Sequence, residues 1–242
     1  MLVWILVVAA VALLAAGALL LAQRTEVHSH TVAEPVGRVE VDLPAGGVRV
    51  AAASGDGVRV VRTTRWSVGR PEATETVDDA VLRIVVRRPR APLVQGLVEY
   101  ELEVPPGTEV RASTGAGSIW VGGVDGALDL RTSAGRLTVS GAGGRLRLVT
   151  SAGGVEGLDL RSRQVEAVSS AGGVRLDFAE PPEQVEARSS AGSVDVFVPG
   201  GPYRVEASSG AGRTDVGVAA DPGAFRSIRA RSGAGSVRVR RR

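Results

Sequence analysis

The chain has 242 residues, enough for one or two domains with a hydrophobic core. It contains no cysteine, which excludes disulfide frameworks and thiolate metal sites. The net charge is only +3, and the basic side chains are arginines that alternate with acidic residues along most segments, so we expect no nucleic-acid partner. Aromatic residues make up 3% of the chain and glycine occurs 32 times, a composition that favours thin β-layers over a bulky core.

The first predicted element is a transmembrane helix at residues 1–22. Residues 2–22 are uncharged and almost entirely apolar, and as a helix they would extend about 31 Å, enough to cross a bilayer core. A cleaved signal peptide would have a basic start and a small residue three positions before its cleavage site, where Leu20 stands instead. We therefore expect an uncleaved single-pass anchor in the cell membrane, with an extracytoplasmic domain behind it.

Residues 23–36 are predicted to form a polar juxtamembrane linker. Within it, Glu26, His28 and His30 alternate along one face of an extended segment. Two histidines at positions i and i+2 can share a Zn²⁺ ion, with the carboxylate as a third ligand. Solvated linker side chains are the alternative interpretation, and the position next to the membrane segment favours it.

Residues 37–107 are predicted to be a β-rich N-terminal part. Apolar and polar residues alternate in the segments 39–43, 48–50, 58–61, 82–86 and 98–104, which Gly- and Pro-containing turns separate. Residues 70–79 lack a clear period and are expected to form a loop. No helical period of useful length follows residue 22.

Residues 108–242 contain a repeated phrase, Ser/Thr-Ser/Gly-Ala-Gly followed by alternating apolar residues. Its anchoring glycines are Gly117, Gly135, Gly153, Gly172, Gly192, Gly212 and Gly235. The spacings between them are 18, 18, 19, 20, 20 and 23 residues. Each unit also has a return segment such as 146–148, 165–167 or 185–187. Because a single unit cannot bury its own apolar face, we expect neighbouring units to stack about 4.8 Å apart.

The predicted fold class is therefore all-β, a β-solenoid or β-helix-like stack of repeats of about 18–23 residues, preceded by the β-rich part and the membrane helix. The glycine corners allow tight bends with positive φ. The last strand, 236–242, carries four arginines. We expect it to be the exposed edge of the stack, with its charges preventing association.

The repeat phrases, the Tyr100–Gly107 lead-in Tyr-Glu-Leu-Glu-Val-Pro-Pro-Gly and the N-terminal apolar segment together resemble the bacterial putative-adhesin family. The resemblance covers residues 37–242. It implies a repetitive β-helix-like fold in a membrane or surface protein. It supplies no catalytic residues.

Three matching Val-Glu-Ala phrases place Glu166, Glu186 and Glu206 one 20-residue unit apart. Stacking would bring these carboxylates into one column, where they would repel one another if unpaired. Nearby arginines such as Arg188 and Arg204 can neutralise them. The other interpretation is a bound cation, because carboxylate oxygens suit Ca²⁺.

Trp120 and Phe197 are predicted to point outward, between inward-facing valines and isoleucine. Exposed aromatic rings on a β-face can contact sugars or proteins. We therefore predict a partner surface at these two positions.

Catalytic signatures are weak. The two histidines lie outside the repeats, so no Ser-His-Asp triad can form there. A β-helix glycosidase would need clustered carboxylates, and the candidates alternate with inward apolar residues. These candidates are Asp129, Asp159, Asp177, Asp195 and Asp215. No cofactor is expected.

The sequence thus predicts a membrane-anchored, non-enzymatic envelope or surface module, adhesin-like or scaffolding, that binds a protein or glycan partner. Two alternatives stay open: an accessory or sensor domain of an envelope-stress signalling system, and a β-helix carbohydrate-active enzyme.

Overall fold

The computed structural model describes residues 24–67, 69–87 and 96–242. In these ranges the chain is all-β, and it contains no helix long and apolar enough to cross a membrane. The predicted anchor at residues 1–22 lies outside the described residues. The strands are β1(Arg24–Val32), β2(Arg38–Leu43), β3(Val48–Ala52), β4(Val58–Trp66), β5(Glu72–Asp78), β6(Val81–Arg87), β7(Gly96–Val104), β8(Glu109–Ala116), β9(Ile119–Gly122), β10(Leu128–Ala134), β11(Leu137–Ser140), β12(Leu146–Ala152), β13(Val155–Leu160), β14(Gln164–Ala171), β15(Val174–Phe178), β16(Gln184–Ala191), β17(Val194–Val198), β18(Arg204–Ala211), β19(Thr214–Gly217), β20(Ser227–Ala234) and β21(Val237–Arg241).

These strands form two large sheets. Sheet A has the order β1-β4-β7-β3-β9-β11-β13-β15-β17-β21-β19, and sheet B has the order β18-β20-β16-β14-β12-β10-β8-β2-β6-β5. Neighbouring strands run parallel throughout most of both sheets. The antiparallel pairs among the described strands, β1–β4, β4–β7 and β5–β6, all lie at one end.

Each repeat contributes one strand to each sheet, in a register that advances by one unit. In sheet A, for example, Val174 pairs with Val194 and Leu176 with Val196. All four side chains are buried, as the alternation predicts. The core between the sheets is built from such columns of Val, Leu, Ile and Ala, while the charged residues of the same strands point outward.

The repeated phrase forms a hydrogen-bonded corner between the two sheets. The hydroxyl at its first position donates to the carbonyl oxygen of the corner glycine in an adjacent unit: Thr132 Oγ1 bonds Gly117 O at 3.0 Å, and Ser189 Oγ bonds Gly172 O at 2.8 Å. Both hydroxyl-bearing residues are buried. The Ser/Thr requirement therefore follows from satisfying a carbonyl that would otherwise be buried without a partner.

The corner glycines cannot be replaced without moving the backbone. Gly135 has a φ of 157°, and a Cβ placed there would lie 2.0 Å from the carbonyl oxygen of Gly117 in the adjacent unit. Stacked corners approach this closely only because neither residue has a side chain. This explains why the Gly in the phrase does not vary along the chain.

The N-terminal part shares both sheets with the repeats. Strand β2 pairs in parallel with β8, and β3 pairs in parallel with β9. The predicted boundary at residue 107 is therefore not a break in either sheet, and one core cluster includes residues from both sides of it.

Two expectations about irregular segments are wrong. The stretch predicted as a linker contains β1, which pairs along its whole length with β4. The stretch predicted as a loop contains β5, which pairs with β6. Both are edge strands with mixed polar composition, and their partners rather than their own period determine their structure.

The chain order differs from the spatial order at both ends. The unit β20/β21 lies between β16/β17 and β18/β19, and the unit β2/β3 lies between β6/β7 and β8/β9. The prediction that the C-terminal strand is the exposed edge is therefore wrong. Strand β21 is paired on both sides, and the outermost strands at that end are β18 and β19.

Candidate interaction surface

The outer face of sheet A carries a central column of mostly charged side chains, one from each successive strand. Starting at β7, the column reads Glu101, Arg49, Trp120, Thr138, Glu156, Arg175, Asp195, Arg238 and Asp215. Acidic and basic residues alternate along much of it, so adjacent strands attract rather than repel each other across this face.

Trp120 is held rigidly on this face. The guanidinium of Arg49 stacks 4.6 Å from the centroid of the indole ring. A Cβ at Gly122 would lie only 2.3 Å from the outer edge of the ring, so the indole occupies the space that the glycine leaves free. The ring is partly exposed. The result is a fixed aromatic edge beside a cation, a combination enriched in binding hot spots.

Phe197 occupies a similar position further along the same face. The Arg175 guanidinium lies 4.9 Å from its ring centroid. The two aromatics are on β9 and β17, four strand spacings or about 19 Å apart. The structure therefore places both predicted residues on one face but does not bring them into contact.

A shallow depression of about 260 Å³ lies on the same face, across β13, β15 and β17. Charged side chains of both signs, Glu156, Arg175 and Asp195, line it together with backbone. We call the surface formed by Trp120, this depression and Phe197 the sheet A face.

The predicted glutamate column lies on the outer face of sheet B, but its order differs from expectation. Glu166 pairs in register with Glu186. Glu206 does not follow Glu186, because β20 is inserted and brings Arg229 between them. The expected contiguous stack of three carboxylates is therefore wrong.

The threading of β20 completes a ladder of mostly alternating charge. From the β18 edge it reads Glu206, Arg229, Glu186, Glu166, Arg147, Asp129, Arg111, Glu40 and Arg83. Arg147 Nη1 lies 2.9 Å from Glu166 Oε2, and Arg188 pairs with Glu186. The hydrogen bond from Arg229, and then its charge, lower the pKa of Glu206.

Cation binding at these glutamates stays the alternative to their neutralisation by arginines. Glu166 and Glu186 are the one like-charged neighbour pair in the ladder given above. Within the described part of the chain, no three histidine or carboxylate side chains lie close enough together to hold a metal ion.

The histidine segment has a different environment from the one expected. The rings of His28 and His30 lie 5.4 Å apart on β1. His30 Nε2 lies 3.3 Å from Glu75 Oε2, on β5 of the opposite sheet. Glu26 instead pairs with Arg70 at 2.7 Å. Glu26 and His30 therefore pair with different side chains, Arg70 and Glu75, rather than converging with His28 on one point.

A polar cluster between the sheets was missed by the sequence reasoning. Tyr100 is 1% exposed, and its hydroxyl donates to Glu75 Oε1 at 2.9 Å. Arg62 Nη1 donates to the same oxygen at 2.7 Å. Burial, and then the charge of Glu75, raise the pKa of Tyr100. The signal available in the sequence was Arg62, at an inward position after Val58 and Val60.

The carboxylates considered as catalytic candidates face guanidinium groups. Asp129 Oδ1 lies 3.0 Å from Arg131 Nε, and Asp195 Oδ1 lies 3.1 Å from Arg238 Nη1. The other three pair with arginines of the C-terminal strand and its tail: Asp215 with Arg240, and Asp159 and Asp177 with Arg242. These contacts give the C-terminal arginines a role within the sheets.

Comparisons with known proteins add names but little detail. No protein-family model matches the chain, and neither does any curated protein. A putative cell adhesion protein from Clostridium sporogenes is similar in structure, with 12% identity and a TM-score of 0.43, covering 91% of this chain and 100% of its own. A putative adhesin from Parabacteroides merdae has 11% identity and a TM-score of 0.43, covering 89% of this chain and 96% of its own.

A third solved structure, a putative lipid binding protein from Parabacteroides distasonis, has 9% identity and a TM-score of 0.41, covering 89% of this chain and 96% of its own. At these identities and scores the likeness does not assign a function. The first two names agree with the resemblance to the putative-adhesin family that the repeat phrases indicate.

Proposed function

We propose that this chain is a non-enzymatic envelope or surface module, adhesin-like or scaffolding, that binds a protein or glycan partner through the sheet A face. Its repeats act as a β-solenoid, in which each unit adds one rung to a rigid column. The one-unit advance of the parallel registers and the repeated corner hydrogen bonds support this architecture.

The observation that carries the proposal is the pair of arginine-clamped aromatics on one face of sheet A. Trp120 and Phe197 each have a guanidinium stacked on the ring. Because sheet pairing fixes the backbone and the clamp fixes the ring, a partner would bind with little loss of side-chain entropy. Flat, rigid surfaces with aromatic and arginine anchors suit large partners rather than small substrates.

An enzymatic role is less well supported. A glycosidase needs a carboxyl group with a raised pKa beside a second carboxylate. The five candidate aspartates instead each form an ion pair with an arginine. The sensor role would use the same sheet A face, with a membrane signalling protein as its partner.

The location we propose is the cell membrane, with residues 1–22 as a single-pass anchor and the β-sheets outside the cytoplasm. Protease treatment of intact cells tests this. Cleavage of the β-region in intact cells supports the proposal, whereas protection until the cells are lysed contradicts it.

The binding proposal is tested on a glycan array that carries bacterial cell-wall and host-type glycans, with labelled full-length chain in detergent. We expect Trp120→Ala and Phe197→Ala each to lower retention about tenfold. Thr138→Ala, in the same column as Trp120, is the matched control and should bind like the parent.

Photocrosslinking from position 138 in intact cells covers a protein partner. The same two aromatic changes should remove its crosslinked product. If both variants retain glycans and protein partners as the parent does, the sheet A face is not the binding surface.

A further inference from the structure

The two sheets end together at β18 and β19, and neither strand is paired on its outer side within residues 24–67, 69–87 and 96–242. Arg204 N donates to Arg226 O, so the amides of Val205, Ala207 and Ser209 point away from β20. Val237 N donates to Arg213 O, so the backbone groups of Thr214 and Val216 likewise point outward. This end, which we call the β18/β19 edge, therefore presents unpaired donors and acceptors on both sheets.

The β18/β19 edge is protected against strand pairing only at its start, where the connection after β19 forms one parallel bridge, Tyr203 with Ala220, just before β18 begins. Edge strands are normally blunted by unpaired charges, prolines or bulges. Two of the outward charges are already neutralised by the adjacent unit, because Glu206 pairs with Arg229 and Asp215 pairs with Arg240. The C-terminal arginines that would have guarded an edge lie one strand further in.

Apolar side chains are exposed at the same end. Val216 on β19 is 40% exposed, and Phe225, in the connection between β19 and β20, is 80% exposed. Val205 and Ala207 are only partly buried, although their counterparts in neighbouring units, such as Ile228 and Ala230, are fully covered. The inner column of each sheet is thus open where the next unit would lie.

We propose that the β18/β19 edge binds the same edge of a second copy of this chain. A partner that continues both sheets must present two strand edges at the same separation across a core. A second copy of the chain presents the same two strand edges at the same separation, so it meets this requirement. A two-fold axis perpendicular to the sheets would set β18 against the second copy's β18 and β19 against its β19, each pair antiparallel.

The charges at this end allow such self-association. The two edge strands and their corner contribute Arg204, Glu206, Arg213 and Asp215, with equal numbers of each sign. Counted over these groups alone, two copies bring no net charge together, and only the arginines of the unit behind add a positive one. The opposite end differs, because antiparallel β1 and β5 close it with polar side chains. The contact proposed here does not use the sheet A face.

Site-specific crosslinking tests the proposal, because the chain contains no cysteine. Val216→Cys places one thiol at the β18/β19 edge. Val27→Cys is the matched control, since Val27 is a 63% exposed valine on β1, the edge strand at the other end of sheet A. Each full-length variant is purified in detergent and treated with a short bismaleimide. We expect a covalent dimer from Val216→Cys alone and monomer from Val27→Cys.

Two results would overturn the proposal. Monomer from Val216→Cys, with an unchanged unfolding midpoint, would show that the edge is not an interface between copies. A crosslink that forms only when the two variants are mixed would show head-to-tail stacking instead. As a second measurement, Val216→Arg should convert dimer to monomer in sedimentation, and dimer persisting in that variant would also contradict the proposal.

Discussion

The two ends of the molecule terminate the same stack of strands in different ways. At the N-terminal end the strand direction reverses: β1, β4 and β5 pair antiparallel with their neighbours, and Arg62, Glu75 and Tyr100 form a hydrogen-bonded cluster between the sheets. At the C-terminal end the strands stay parallel to the last, and the inner side chains of the final unit are partly exposed.

The difference shows that a repeat needs a special end wherever its apolar column meets water. The N-terminal end replaces apolar residues by polar ones that satisfy each other. The C-terminal end places its least apolar unit outermost: Thr214 occupies the column position that Val194 and Val237 hold further in. The former end is closed by its own chain, whereas the latter keeps edges that another chain can pair with.

The largest effect on stability should come from placing an aspartate in the inner column of sheet A, at its buried centre and at its exposed end. Val194→Asp puts an unpaired carboxylate in the buried centre and should lower the free energy of unfolding by several kcal/mol. Thr214→Asp, at the exposed end of the same column, should change that of the monomer by about 0.5 kcal/mol or less. Urea titrations of both variants decide the matter. Equal losses would show that the final unit is as buried as the middle.

Removing one hydroxyl should distinguish the two ends. Tyr100→Phe deletes the hydrogen bond to Glu75 and should lower the free energy of unfolding by about 1.5 kcal/mol at neutral pH. Tyr203 lies at the other end, where its hydroxyl donates to the Pro199 carbonyl, so Tyr203→Phe should cost about 1 kcal/mol or less.

The same pair predicts a pH dependence. The pKa of Tyr100 is raised in the folded state. The stability that its neutral hydroxyl contributes is therefore complete below the ordinary pKa of 10.0 and is lost as the pH rises beyond that value. Thermal unfolding between neutral and strongly alkaline pH should therefore show less alkaline loss in Tyr100→Phe than in Tyr203→Phe. Identical alkaline profiles would contradict the role assigned to the N-terminal cluster.

The corner hydrogen bonds should contribute to stability in the middle of the stack. Ser189→Ala leaves the Gly172 carbonyl without its hydroxyl donor, and we expect a loss of about 1 kcal/mol. Ser190→Ala, next along the chain and exposed, should be neutral within about 0.5 kcal/mol. Differential scanning calorimetry measures both. A neutral Ser189→Ala would mean that the repeated hydroxyl in the phrase is not structural.

The smallest effect concerns the ladder of charges on sheet B. Because Arg147 and Arg188 already pair with Glu166 and Glu186, we expect millimolar Ca²⁺ to leave the Tm unchanged. Glu166→Gln should shift stability by about 0.5 kcal/mol or less. A rise in Tm with Ca²⁺ that Glu166→Gln and Glu186→Gln both abolish would instead establish a cation site there.

Alternation and repetition in the sequence were sufficient to predict the local structure of the middle units. The glycine spacing, the inward Val174 and Val194, and the outward Trp120 and Phe197 all follow from a period of two and a unit near 20 residues. These features are local or depend on the adjacent unit, which the repeat itself specifies.

The order of the units and the nature of the ends were decided only by the tertiary structure. Several units have nearly the same inner pattern, so apolar burial alone does not determine which stacks on which. Placing β20 beside β16 sets Arg229 between Glu186 and Glu206, and placing β21 beside β17 sets Arg238 between Asp195 and Asp215. The N-terminal cluster joins side chains from strands β1, β4, β5 and β7. No period within one strand predicts these contacts, because each polar side chain can be buried only when the others satisfy its hydrogen bonds.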